Sequence, residues 1–121
     1  MAGRKTTREV IEEMSFAKVY PLYVQKVEKK GKSEAELHQV MTWLTGYETD
    51  EIRALAASDA TFKDLFDGAK MHPNSHLITG VVCGHRVEDI EDDLVQKTRY
   101  LDKLIDELAR GKKMQSILRT T

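Results

Sequence analysis

The sequence predicts an all-α protein, a compact bundle of about five to seven helices with one long C-terminal helix. Apolar residues recur at steps of three and four along most of the chain, which is the spacing of one face of an α-helix. Capping residues precede several of these stripes and glycines follow them, as at Ser33 and Gly46. At 121 residues and 40% hydrophobic content, the chain has the size and composition of one domain.

The amino terminus is polar, and Thr6 or Thr7 can cap a short helix that runs to Glu13. We therefore expect residues 1–13 to be a polar extension or a short helix, and residues 14–121 to form a single helical domain. The terminus has no apolar segment of the kind that secretory signals carry, so we expect a cytoplasmic protein.

An apolar stripe from Phe16 to Val27 predicts the next helix. Pro21 interrupts this stripe. Because proline lacks a backbone donor and clashes with the preceding turn, we expect a kink there, or a turn and a new helix with Pro21 in its first turn. Ser33 and Glu36 then form a capping box, which predicts that a helix starts directly after the serine.

A helix-turn-helix-like pair is centred on Gly46, a residue suited to the left-handed end of a helix. Thr49 can cap the second helix, whose Ile52 and Leu55 have the spacing to pack on the first. This second helix would face DNA with three acidic residues and one basic residue: Glu48, Asp50, Glu51 and Arg53. Since affinity for nucleic acid comes largely from basic side chains on phosphates, we expect no DNA binding through this pair, and the sequence leaves the helix-turn-helix shape itself open.

The second half of the chain predicts a short helix capped by Asp59, a loop over residues 70–75, and one long helix over residues 87–110. Residues 77–83 favour a helix, although their β-branched side chains leave a strand open. Another short helix follows Gly111. The apolar stripe of the long helix is close to a heptad repeat, which would suit self-association through that helix.

The net charge of −1 is distributed unevenly. Residues 1–32 carry eight Lys/Arg against four Asp/Glu, residues 33–96 carry four against thirteen, and residues 97–121 carry seven against three. The basic ends can neutralise the acidic middle within one fold, or attract a second copy or another protein, and the acidic middle weighs against nucleic acid. No apolar stretch approaches the roughly 20 residues that cross a membrane, so no membrane partner is expected.

Four candidate metal ligands, His72, His76, Cys83 and His85, lie within 14 residues. Their spacing fits no zinc signature, and we interpret them as one buried thiol and solvated histidines, with no metal and no cofactor. A nucleophilic Cys83 with His85 as its base is a weaker alternative, because residues two apart rarely converge. The acidic residues of 88–93 could hold Mg²⁺ or Ca²⁺, but acids that complement a helix start are the favoured interpretation.

Three segments carry a family resemblance: MSFAKVYPLYVQKVEKKG at residues 14–31, WLTGY at residues 43–47, and GVVCG at residues 80–84 continuing through RYLDKL and GK to residue 112. Together they resemble the bacterial family named domain of unknown function 2200. The resemblance spans roughly residues 14–119 and implies no activity, substrate or catalytic residue.

Six residues shared with that family carry side chains suited to a site, and we predict them as candidate cleft residues: Tyr20, Tyr23, Trp43, Arg86, Arg99 and Asp102. Their convergence would indicate a cleft, whereas an aromatic stripe at helical spacing is more often core. The sequence has no nucleotide loop, metal motif or nucleophile elbow. We therefore expect a binding or assembly module that can self-associate. The alternatives are a nucleic-acid regulator or a small enzyme with an unrecognised site.

Overall fold

The computed structural model describes residues 6–120, so the first five residues of the predicted 1–13 segment lie outside the described residues. Within that range the chain forms seven α-helices: α1 (Thr7–Glu13), α2 (Phe16–Lys29), α3 (Glu34–Thr45), α4 (Thr49–Ala56), α5 (Phe62–Asp67), α6 (Asp93–Ala109) and α7 (Met114–Ile117). Between α5 and α6, strands β1 (Val81–Val82) and β2 (His85–Arg86) pair in an antiparallel hairpin. The predicted helical bundle with one long C-terminal helix is confirmed.

Helix α6 is the central element of the core and contacts α1, α2, α3, α5 and α7. Its leucine stripe is buried inside the chain, with Leu101 and Leu104 both 0% exposed. The predicted apolar seam therefore packs against this chain's own helices. Self-association stays a prediction and would have to use another surface.

The long helix begins at Asp93, so its predicted start at Val87 is wrong. A 3₁₀ turn over Val87–Asp89 comes first, and Ile90 is extended with ψ 121°. Asp92 then caps α6, because its carboxylate accepts a hydrogen bond from the backbone amide three residues on, at 3.1 Å. The same carboxylate binds Arg8 of α1 at 2.9 Å. Most of the acidic residues of 88–93 therefore lie before the helix.

Residues 81–86 form the hairpin, so the favoured helix over residues 77–83 is wrong and the strand alternative is correct. Its two-residue turn consists of Cys83 and Gly84, with φ values of 53° and 81°. Positive φ at both turn positions matches the tight turn that joins two antiparallel strands, whereas a helix excludes it. Lys103 of α6 supports β1 by donating to the carbonyl of Val81 at 3.4 Å.

Several local predictions are confirmed and others move by a few residues. The capping box at Ser33 is present, and Gly46 ends α3 with φ 79°. The residue at the cap of α4 is Glu48, one before the predicted Thr49. Likewise, α5 is capped by Thr61 and not by Asp59, because the Thr61 hydroxyl accepts from a backbone amide of the first turn.

Helix α2 continues through Pro21, so the predicted alternative of a turn and a new helix is wrong. The proline is exposed to solvent. The carbonyl one turn back, which loses its amide partner, therefore faces the side of the helix where water can bind it. An unbroken α2 brings Tyr20 and Tyr23 to two different faces, one toward α3 and one toward α6.

None of the helices in the described part of the chain combines the length and apolar content of a membrane span.

Candidate functional site

A cleft of about 430 Å³ opens between the outer face of α3 and the first turns of α4. Its volume lies in the range of small-molecule sites. The lining residues come from both helices, and all except Ala35 have polar or charged side chains: Glu34, Ala35, His38, Gln39, Thr42, Glu48, Thr49 and Arg53. The left-handed Gly46 turns the chain between the two helices and so places these side chains around one space.

The cleft lies over a buried polar network that joins α2 to α3. The Tyr20 hydroxyl of α2 contacts both the Glu34 carboxylate and the His38 Nε2 of α3. Tyr20 is 8% exposed and His38 only 3%. Since Glu34 and His38 are four residues apart on one helix, both reach the same hydroxyl.

The hydrogen-bond pattern assigns the protons of this network. A carboxylate only accepts, so the single hydroxyl proton of Tyr20 goes to Glu34, and His38 donates its Nε2–H to the Tyr20 oxygen. A neutral imidazole donates at one nitrogen and accepts at the other. His38, which lines the cleft, therefore keeps Nδ1 as an acceptor.

Burial keeps both ring systems neutral. It lowers the pKa of His38, an effect that the negative charge of Glu34 opposes and the positive charge of Arg53 reinforces. Burial also raises the pKa of the Tyr20 hydroxyl, and the neighbouring Glu34 raises it further. The charges left at the cleft are consequently those of Glu34, Glu48 and Arg53.

A pH dependence of stability follows from His38, around which Tyr20, Glu34 and Arg53 are grouped. The folded-state pKa of His38 is lowered, so its contribution to stability is present above the unfolded-state pKa, about 6.5, and is lost as pH falls. We expect the melting temperature of wild type to fall further between pH 7.5 and pH 5.5 than that of His38→Gln. Thermal unfolding at both pH values measures this difference.

The matched control for this experiment is His85→Gln, because His85 is an exposed histidine on the hairpin. It should show the wild-type pH dependence. If His38→Gln and His85→Gln lost melting temperature equally on acidification, His38 would not be the responsible group.

Three of the six predicted cleft residues meet at a second place, between α2 and α6. The Tyr23 hydroxyl donates to Asp102 Oδ1 at 3.1 Å, and Arg99 donates to Asp102 Oδ2 at 3.0 Å. Burial raises the pKa of Tyr23, and the Asp102 charge adds to this. Because the three groups bind one another, they tie the two helices together.

The other three predicted residues lie apart from that cluster and from one another. Tyr20 lies beneath the α3–α4 cleft. Trp43 stacks on His72 with ring centroids 4.2 Å apart. Arg86 is exposed on β2 and pairs with Glu88 at 3.7 Å. The six residues therefore occupy four separate places.

The candidate metal ligands are also dispersed. His72 is held by Trp43, and its Nδ1 accepts a hydrogen bond from a backbone amide at 3.0 Å. Cys83 is exposed at the hairpin turn, which corrects the expectation of a buried thiol. Across residues 6–120, no three His, Cys, Asp or Glu side chains are grouped closely enough to hold a metal ion.

A second cleft, of about 450 Å³, lies where α2 and α6 end. Asp106 binds Arg110 at 2.8 Å and Lys26 at 3.6 Å, and Lys30 completes the charged lining. Tyr23 of α2 contacts Asp102 of α6, and Lys26, farther along α2, contacts Asp106, farther along α6. The two helices therefore run in the same direction. Their negative dipole ends thus meet here, which explains the basic side chains without a ligand.

Sequence reasoning missed three residues of the α3–α4 cleft, namely Glu34, His38 and Arg53. A usable signal was present, since an acid and a histidine four residues apart share one helix face. Nothing in the sequence indicates that Tyr20 reaches them from another helix.

A family model described as an uncharacterized protein conserved in bacteria, DUF2200, matches residues 10–119. The chain belongs to this family. A crystal structure of the uncharacterized protein SP1917 resembles this DUF2200 member with a TM-score of 0.86 and 42% sequence identity, over 96% of this chain and 94% of that one. No curated protein matches the chain.

Proposed function

We propose that this DUF2200 protein is a binding module that takes a small polar molecule into the α3–α4 cleft. The proposal rests on two features of the cleft. The side chains beneath it are held by hydrogen bonds, and an arginine of its lining has an unpaired charge within residues 6–120. Tyr20, Glu34 and His38 bind one another beneath the cleft. Within residues 6–120 the exposed Arg53, which lines the cleft, has no hydrogen bond or ion pair to another side chain. Its positive charge acts to lower the pKa of both Tyr20 and His38.

The network favours binding over catalysis. The Nε2 of His38 and the hydroxyl of Tyr20 bind each other, so the two groups best suited to proton transfer have structural partners. A floor held in this way is already ordered before a ligand arrives, which reduces the entropy cost of binding. The remaining lining groups can supply orienting hydrogen bonds: Gln39, Thr42 and Thr49.

The experiment that tests the proposal fills the cleft. Ala35 is exposed and lines the cleft, whereas Ala54 is also exposed but lies outside the lining. Small polar molecules are screened for a rise in melting temperature, which binding to the folded state produces. We expect a binder that stabilises wild type and Ala54→Trp but not Ala35→Trp. A binder that stabilises all three equally, or a screen without any binder, would contradict the proposal.

The helix pair around Gly46 also predicts the response to DNA. The first turn of α4 presents Glu48, Asp50 and Glu51, all exposed, beside a single Arg53. We expect weak or no binding to duplex DNA in about 0.15 M salt, and binding without sequence preference at lower salt. Fluorescence anisotropy with labelled duplexes measures it, and submicromolar, sequence-selective binding at 0.15 M salt would favour the regulator instead.

A further inference from the structure

We propose that the ligand of the α3–α4 cleft is a small zwitterion of the amino-acid type, whose carboxylate binds Arg53 and whose ammonium group lies toward Glu34 and Glu48. This inference rests on the proposed function and specifies the ligand class for the same site. It is carried by charges of both signs that line one small cleft.

The carboxylate position follows from Arg53. Arg53 is exposed, lines the cleft, and its guanidinium has no side-chain partner within residues 6–120. Guanidinium groups bind carboxylates through two parallel hydrogen bonds, which orient the bound group as well as attract it.

The ammonium position follows from the two carboxylates of the lining. Glu34 uses its Oε2 for Tyr20, which leaves Oε1 for a ligand. Glu48 lines the same cleft from the start of α4. An ammonium group offers three donors to such acceptors.

The mixed charge of the cleft disfavours ligands that carry charge of one sign. The volume of about 430 Å³ lies in the lower part of the range of small-molecule sites. A dianion would approach Glu34 and Glu48, and a diamine would approach Arg53, so a molecule with charge of one sign meets repulsion. A molecule with both charges and a short polar side chain meets none.

The test measures binding of the twenty standard amino acids to wild type by calorimetry. For the strongest binder, three matched probes follow: the amine that lacks the carboxylate, the acid that lacks the amino group, and the uncharged N-acetyl amide. We expect each probe to bind at least tenfold more weakly than the amino acid. We expect Arg53→Gln to remove the difference between amino acid and amine, and Arg53→Lys to restore part of it.

The matched control is Arg86→Gln, an exposed arginine of the hairpin, which should keep the wild-type affinity. Melting temperatures verify that every variant is folded. If uncharged or singly charged molecules bound in the cleft as well as amino acids, or if Arg53→Gln bound like wild type, the zwitterion would be wrong and the binding module would stand. If no probe of any class bound, both proposals would fall.

Discussion

Replacing Leu104 by alanine should lower the free energy of unfolding by about 2 to 5 kcal/mol. Leu104 is 0% exposed and lies on α6, the helix that most of the bundle packs against. Removing its isopropyl group leaves a cavity that the surrounding helices cannot fill without moving. Because a domain of this kind is stable by about 5 to 15 kcal/mol, the loss is a large fraction of the whole. Urea denaturation followed by circular dichroism measures it.

Asp93→Ala is the control on the same helix, since its side chain is 76% exposed at the helix start and is worth only about 0.3 to 1 kcal/mol. Asp92→Ala should cost more than Asp93→Ala, because Asp92 is the capping residue and binds Arg8. If Asp93→Ala were less stable than Leu104→Ala, the exposed acidic residue would contribute more to stability than the core leucine, and this account of the helix start would be wrong.

Replacing Arg119 by alanine should also destabilise the fold strongly, by about 3 kcal/mol. Arg119 binds Glu107 of α6 through two hydrogen bonds of 2.7 and 2.9 Å, and Glu107 is only 6% exposed. Without the arginine, the buried carboxylate keeps only Lys112 as a charged partner among residues 6–120, at 3.5 Å. The cost arises mainly from this unpaired buried charge. Chemical denaturation of the variant measures it.

Two controls separate burial of charge from simple loss of contacts. The double variant Glu107→Gln with Arg119→Met removes both charges and should recover most of the lost stability. Breaking the exposed pair of Lys63 and Asp67 should change stability little, although its 2.6 Å distance is shorter. A double variant as unstable as Arg119→Ala would show that the unpaired buried charge is not the cause of the loss.

The elements that sequence reasoning placed correctly are those whose signals are local. The capping box at Ser33 and the glycine at 46 are decided within one helical turn, and both are present. The hairpin was misjudged because Val81 and Val82 fit helical spacing as well as a strand. The left-handed turn at Cys83 decides between them, and cysteine gives no sequence signal for that conformation.

The cleft could not be predicted because its parts meet only through tertiary packing. The helical spacing of Tyr20 within its apolar stripe predicts a core residue, and Tyr20 is buried. Its partner His38 lies 18 residues away on the next helix, and Arg53 comes from the helix after that. Only the angles at which α2, α3 and α4 pack bring the three together.

Mapping the bound ligand by two-dimensional ¹H–¹⁵N NMR tests the binding cleft most directly. The isotope-labelled protein is titrated with the amino acid that binds most strongly. The cleft account predicts that the largest shifts fall on backbone amides of the cleft, namely Ala35, Gln39, Thr42 and Thr49. Largest shifts at the other cleft, around Lys30 and Ala109, would contradict it. No shifts across the whole amino-acid panel would contradict the zwitterion proposal.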